Sequence, residues 1–142
     1  MALFSRSAPT PLEGVDTVLA DLDGVVYAGA GALPYAVDAL NSVAATRRLG
    51  FITNNASRTD ASVAAHLTEL GLTVTPEDVV TSPQAAVRLL RTRVPAGATI
   101  LVVGGEGLVV ELEKADFVVT RSAEDNPAAV VQGFAPHVGW TD

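Results

Sequence analysis

The stretch Thr17-Val-Leu-Ala-Asp-Leu-Asp-Gly-Val-Val-Tyr27 decides the reading of this chain. Thr17 to Asp21 is a short apolar run that reads as a buried β-strand. It ends in Asp21-Leu-Asp-Gly24, two carboxylates two residues apart before a turn-forming glycine. Extended backbone at that spacing points both side chains the same way. They fall at the carboxyl end of a parallel strand, where open α/β sheets bind ligands. There, one carboxylate can attack phosphorus while its neighbour protonates a leaving oxygen. Both also offer the hard oxygen donors that Mg²⁺ takes. Taken alone, the pair is explained equally well as an ordinary polar exit from a strand.

Working outward, short apolar runs alternate with helical stretches, the pattern of a parallel α/β sheet. Gly29, Gly31 and Pro34 mark a loop or small flap, and Val37, Leu40 and Val43 follow at helical spacing. Arg47, Arg48 and Gly50 supply C-terminal helix signals before a second strand, Phe51 to Thr53. Thr59 is a plausible N-cap for a helix carrying Val63, Leu67 and Leu70, closed by Gly71. Thr75-Pro-Glu-Asp78 resembles a capping box, Val79 to Thr81 a third strand, and Ser82-Pro83 a further helix start. After a break at Pro95 to Gly97 the rhythm resumes. Thr99 to Val103 reads as strand, Leu108 to Ala115 as helix, Phe117 to Thr120 and Ala129 to Gln132 as strands. Gly139-Trp-Thr-Asp142 reads as the start of another helix.

Thr53-Asn54-Asn55 ends the second strand, 32 residues after Asp21. That interval holds one flap, one helix and one strand, which makes the two strand ends neighbours in a parallel sheet. A threonine hydroxyl and adjacent backbone N–H groups there can cradle phosphate oxygens beside a nucleophile. By itself the Asn pair reads more simply as a turn; the two motifs together point to phosphate chemistry.

Bulk composition sets the boundaries. The 142 residues suit one ordinary domain, at about 150 residues per domain. With 49% apolar and 18% charged residues a packed core is expected. A net charge of −7 argues against nucleic acid as a partner, since phosphate backbones are bound by clustered Lys and Arg. The absence of cysteine excludes disulfides, zinc-thiolate sites and cysteine nucleophiles. No run approaches the ~18–20 apolar residues of a membrane span, so no membrane partner is expected. A cytoplasmic location fits, and the start of the chain lacks the features of a signal peptide.

Asp21-Leu-Asp-Gly-Val-Val-Tyr27 resembles the first motif of haloacid-dehalogenase-type phosphatases, and Thr53-Asn-Asn-Ala-Ser-Arg58 resembles the second. The run from Asp21 through Ser82 is similar to the subfamily of capped p-nitrophenyl-phosphate, phosphoglycolate and glycerol-phosphate phosphatases. The resemblance covers nearly all of the chain after its first dozen residues. It implies an α/β fold with a Rossmann-like parallel sheet followed by the beginning of an α/β cap. Residues 1–12 would be a flexible arm, 13–82 the N-terminal part of the core, and 83–142 the first, incomplete part of the cap.

The resemblance further implies a Mg²⁺-dependent phosphatase acting on small phosphorylated metabolites through an aspartyl-phosphate. Asp21 would be the nucleophile, Asp23 the general acid and base, and both would serve the metal. Thr53 and Asn54 would bind phosphate, while Asn55 and Arg58 shape the loop. The lysine and Gly-Asp segment that complete such a site have no counterpart, because the only lysine, Lys114, reads as a solvated helix charge. The chain is therefore expected to be a half-enzyme with an exposed apolar edge at the Asp21 strand, completed by a C-terminal fragment or another chain. Members of this subfamily often pair through their caps, so a homodimer is also expected.

Three other readings stand beside this one. A non-catalytic fragment or interaction module would keep the fold without the chemistry. A phosphoacceptor receiver-like domain would place its acceptor Asp after the third strand, where Val80-Thr-Ser82 has none. An Asp-x-Asp transferase would leave Thr53-Asn-Asn unexplained. Gly104-Gly-Glu-Gly107 is no dinucleotide fingerprint, because Val110 stands where a third glycine belongs. It reads as a tight strand-to-helix loop. His66, His137, Asp38, Glu111 and Glu113 read as ordinary structural or solvated positions.

Overall fold

The computed structural model describes residues 11–139 and consists of two three-stranded parallel sheets joined through helices, with one small hairpin. Most of the expected arm and the expected start of a helix at residues 140–142 lie outside the described residues.

The first sheet is built from β1 (Thr17–Asp21), β4 (Arg48–Thr53) and β5 (Val79–Thr81), in that spatial order. Between β1 and β4 run the hairpin β2 (Tyr27–Ala28) and β3 (Gly31–Ala32), then helix α1 (Ala36–Ala44). The expected flap is this hairpin, with Tyr27 paired to Ala32. Helix α2 (Asp60–Glu69) connects β4 to β5, and its N-cap is Thr59, whose Oγ1 accepts from the Ser62 N–H at 3.1 Å. The register sets Asp21 opposite Ile52 and Ile52 opposite Val80, so alternation sorts these strands into two faces. One face carries Ala20, Phe51 and Val79 into a core with Val63, Ala64 and Leu67 of α2, plus Leu22, Val26 and Leu72.

The other face is open. Leu19 is 63% exposed, Val80 51% and Ile52 42%. β1 is an edge strand, as expected, but it is not the strand buried on both faces that its apolar run suggests. Periodicity cannot tell a covered face from one awaiting cover. β4 also begins three residues earlier than Phe51, because Thr17 pairs with Arg48 and the Arg48 N–H donates to Asp16 O at 2.9 Å. Gly50 belongs to that strand, where a Cβ would come within 2.9 Å of the Leu19 side chain.

The second sheet has the order β7 (Val118–Thr120), β6 (Thr99–Val103), β8 (Ala129–Gln132). Helices α3 (Ser82–Leu90) and α4 (Glu106–Lys114) cover one face of it. Val87 and Leu90 of α3 join Ile100, Val102, Leu108, Leu112 and Phe117 in a second apolar cluster. The helix that follows β5 directly thus packs with what comes after it. Among the described residues, no helix is long and apolar enough to cross a membrane.

Candidate active site

Parallel pairing of β1 with β4 brings Asp21 and Thr53 to the same carboxyl edge of the first sheet. Asp21, Thr53 and Asn54 line one open cleft with Ile52, Val80 and Ser82, of about 440 Å³. Leu22 is completely buried while Asp21 and Asp23 on either side are exposed, so both carboxylates face outward as their spacing demands. Asp23 lines a neighbouring cleft with Tyr27, Asn55, Ser57, Arg58 and His66. The two carboxylates thus line two different clefts, on either side of the buried Leu22.

Hydrogen bonds hold Asp21, Thr53, Asn54 and Asn55. Asp21 Oδ1 accepts from the Leu22 N–H at 2.8 Å, the only such bond to this side chain among the described residues. Gly24 turns the chain with φ 78°, a left-handed conformation that glycine adopts without cost, and its N–H donates to Tyr27 O at 2.8 Å. Thr53 is 7% exposed, and its Oγ1 accepts from the Asn55 N–H at 3.1 Å. With one lone pair engaged, the hydroxyl still has its own proton to donate. Asn55 Oδ1 in turn accepts from both the N–H and the hydroxyl of Ser57, at 2.9 and 2.8 Å. Ser82 Oγ donates to Asn54 O at 2.9 Å and pins the loop from the start of α3.

In the second cleft Tyr27 is almost fully buried and meets His66 edge to face, ring centroids 5.0 Å apart. The Tyr27 phenol is pushed above its ordinary 10.0, first by burial and then by the Asp23 charge; Arg58 opposes this, and Asp21 adds to it. Tyr27 therefore stays neutral beside the carboxylate pair.

Several residues that the sequence left in the background are structural partners of this loop. Lys114, read as a solvated charge, donates to Glu111 Oε1 at 2.6 Å and to Asp60 Oδ1 at 3.2 Å. Glu111, also read as solvated, is 8% exposed. Gln84 Nε2 donates to Asp60 Oδ2 at 3.0 Å, while Gln84 Oε1 accepts from the Thr81 N–H. An i, i+3 spacing of Glu111 and Lys114 was the one visible hint; Asp60 is 54 residues from Lys114.

Among the described residues no group of three or more His, Cys, Asp or Glu side chains could enclose a metal ion. Two exposed carboxylates nonetheless fit Mg²⁺, which keeps several waters and is commonly held by one or two carboxylates with substrate phosphate.

The family model for haloacid dehalogenase-like hydrolases matches residues 18–118. The chain is 48% identical over 127 residues to a D-glycerol 3-phosphate phosphatase of Mycobacterium tuberculosis, covering 89% of this chain and 35% of that protein. It is 42% identical over 115 residues to a glycerol-3-phosphate phosphatase of Gallus gallus, covering 80% of this chain and 37% of that one. A crystal structure of the glycerol phosphate phosphatase of M. tuberculosis in complex with magnesium superposes with a TM-score of 0.84 at 46% identity, over 92% of this chain and 39% of that one. NagD from E. coli K-12 superposes at 0.74 with 31% identity, over 89% of this chain and 49% of NagD. The chain thus spans between about a third and a half of the length of these relatives. With its Asp21 and Thr53 motifs on adjacent parallel strands inside the matched region, the chain belongs to the haloacid dehalogenase-like hydrolase family.

Proposed function

We propose that this chain forms one half of the catalytic centre of a Mg²⁺-dependent phosphatase that hydrolyses small phosphate monoesters. The observation that carries the reading is the convergence of Asp21, Thr53 and Asn54 in one cleft, with Asp23, two residues from Asp21, lining a second. Asp21 Oδ2 attacks phosphorus, the bond to the leaving oxygen breaks, and Asp23 gives that oxygen its proton. Asp23 then takes a proton from water as the water oxygen attacks the aspartyl-phosphate. The P–O bond to Asp21 breaks, releasing phosphate and restoring the carboxylate. The Thr53 hydroxyl and the backbone at Asn54 hold the phosphoryl oxygens throughout. Asp21 and Asp23 would hold Mg²⁺, which offsets the repulsion between carboxylate and phosphoryl charge.

The same reading assigns residues 13–82 to the core and residues 83–142 to the first part of a cap. The open face of Leu19, Ile52 and Val80, beside the free edge of β1, supports a further segment that completes the sheet and supplies the missing cation. Similarity to glycerol phosphate phosphatases makes glycerol phosphate the first substrate to try.

The test is Mg²⁺-dependent release of phosphate from p-nitrophenyl phosphate and glycerol phosphate, with Asp21→Asn as the control. Turnover that needs both Mg²⁺ and Asp21 supports the assignment. Turnover that survives Asp21→Asn sinks it. If the chain alone is silent, turnover should appear once the carboxyl-terminal half of the M. tuberculosis relative is supplied, and failure there leaves the non-catalytic module as the better reading.

A further inference from the structure

We infer that Gly107, with Gly105 beside it, is a positioning residue for the phosphate-binding loop, an inference that rests on the assignment of Thr53 and Asn54 to phosphate. The first turn of α4 lies directly on the backbone of residues 56–58. The Gly107 N–H donates to Ser57 O at 3.3 Å, so one of the unpaired amides of that helix start is satisfied by the loop. A Cβ at position 107 would lie 2.6 Å from Arg58 O, 2.9 Å from Arg58 C and 3.1 Å from Ala56 O. At position 105 it would lie 3.2 Å from Phe134 O and 3.3 Å from Ser57 Cα. Only a residue without a side chain permits this approach, which accounts for the Gly104-Gly-Glu-Gly107 run better than a tight turn alone.

The contact reaches the site through a continuous relay. Gly107 N–H holds Ser57 O; the Ser57 N–H and hydroxyl hold Asn55 Oδ1; the Asn55 N–H holds Thr53 Oγ1. The middle link is two hydrogen bonds and the outer links one each, and the last engages a lone pair of the Thr53 hydroxyl. The Asp60–Lys114 pair joins the same two segments at a second point, at the far end of α4. The second unit therefore buttresses the phosphate site.

A methyl group at 107 forces the Arg58 carbonyl back by roughly 0.8 Å, since ordinary contact begins at 3.4 Å. Displacement on that scale at a positioning contact changes function by on the order of ten- to a hundredfold. The experiment titrates inorganic phosphate, with Mg²⁺ present, into the full chain and follows the backbone amide resonances of Thr53, Asn54, Asn55 and Ser57. Gly107→Ala should weaken phosphate binding by about tenfold or more and shift the Asn55 and Ser57 amides before any phosphate is added. Gly105→Ala, with its milder crowding, should do the same to a smaller degree, and it carries the test if Gly107→Ala does not fold. Val102→Ala destabilises the same unit from its core, at a residue 2% exposed and away from the loop, and should leave phosphate affinity unchanged. Glycine variants that bind phosphate like the unaltered chain, or a Val102→Ala effect of equal size, would show a merely structural role and overturn the inference. Should the unaltered chain give no phosphate-dependent change at Thr53 or Asn54 even with the carboxyl-terminal half of the M. tuberculosis relative supplied, the phosphate assignment itself fails and takes this inference with it.

Discussion

Replacing Lys114 with methionine tests an ion pair between the two halves of the structure. Lys114 bridges Glu111 at 2.6 Å and Asp60 at 3.2 Å; its side chain is 51% exposed, whereas those of Glu111 and Asp60 are 9% and 13% exposed. Methionine preserves the aliphatic stem but strands the Glu111 carboxylate, whose only side-chain partner among the described residues is Lys114. Asp60 suffers less, since Gln84 and the Ala61 N–H still donate to it. Breaking a fully buried pair costs about 3–5 kcal/mol, and exposed pairs are worth about 0.2–1 kcal/mol. With one partner half in water, the expected loss is about 1–2 kcal/mol. At this chain length that lowers the thermal midpoint by roughly 3–5 °C per kcal/mol.

Adding Glu111→Gln to Lys114→Met should restore part of the loss, because the stranded charge is gone. The pH dependence has a definite sign. The hydrogen bond to Glu111 raises the Lys114 ammonium above its ordinary 10.5; burial opposes this, and the bond to Asp60 reinforces it. A raised folded value means the stabilisation is fully present below pH 10.5 and is lost as pH climbs through the folded value. Urea unfolding of both proteins at pH 7 and at progressively alkaline pH should show the difference between them shrinking above 10.5. Equal stability at pH 7, or a gap that persists after the lysine has lost its proton, would refute the reasoning.

Two further outcomes follow from packing. Leu67→Ala removes a completely buried side chain from the contact of α2 with the first sheet and should cost about 2–5 kcal/mol of unfolding free energy, seen as a lower urea midpoint with the slope unchanged. A loss below 1 kcal/mol would mean that the core collapses around the gap, contrary to a rigid contact at this position. Leu19→Thr combined with Val80→Thr makes the open sheet face polar; it should reduce self-association in sedimentation velocity while altering stability by only about 0.5 kcal/mol. Unchanged association would locate the sticky surface elsewhere.

Elements whose signals are local were legible in the sequence. The Thr17–Asp21 strand, the Thr59 cap and the helix after Ser82 all rest on periodicity and capping within a few residues, and the structure has each of them. Placing Asp21 and Thr53 at neighbouring strand ends was legible too, since one helix between two short strands leaves little choice of topology. What escaped depends on partners far along the chain. Glu111 and Lys114 read as solvated because nothing near them announces Asp60. The start of β4 at Arg48 was obscured because two arginines and a glycine mimic the end of a helix, while it is pairing to Thr17 that draws them into the sheet. The glycine run at 104–107 was visible as a local loop, but the backbone it packs against belongs to residues 56–58.

The positions of β1 and β4 in the first sheet differ in a way that bears on the site. β4 is hydrogen-bonded along both sides, whereas β1 is paired along one. Amides of β4 are expected to exchange with solvent only when the whole unit opens, and those on the free side of β1 through local fraying. The two halves of the cleft therefore differ in permanence. Thr53 is anchored on the strand expected to exchange slowly, while Asp21 sits at the tip of the one expected to exchange fast, so under the proposed roles the nucleophile would loosen while the phosphate cradle keeps its shape.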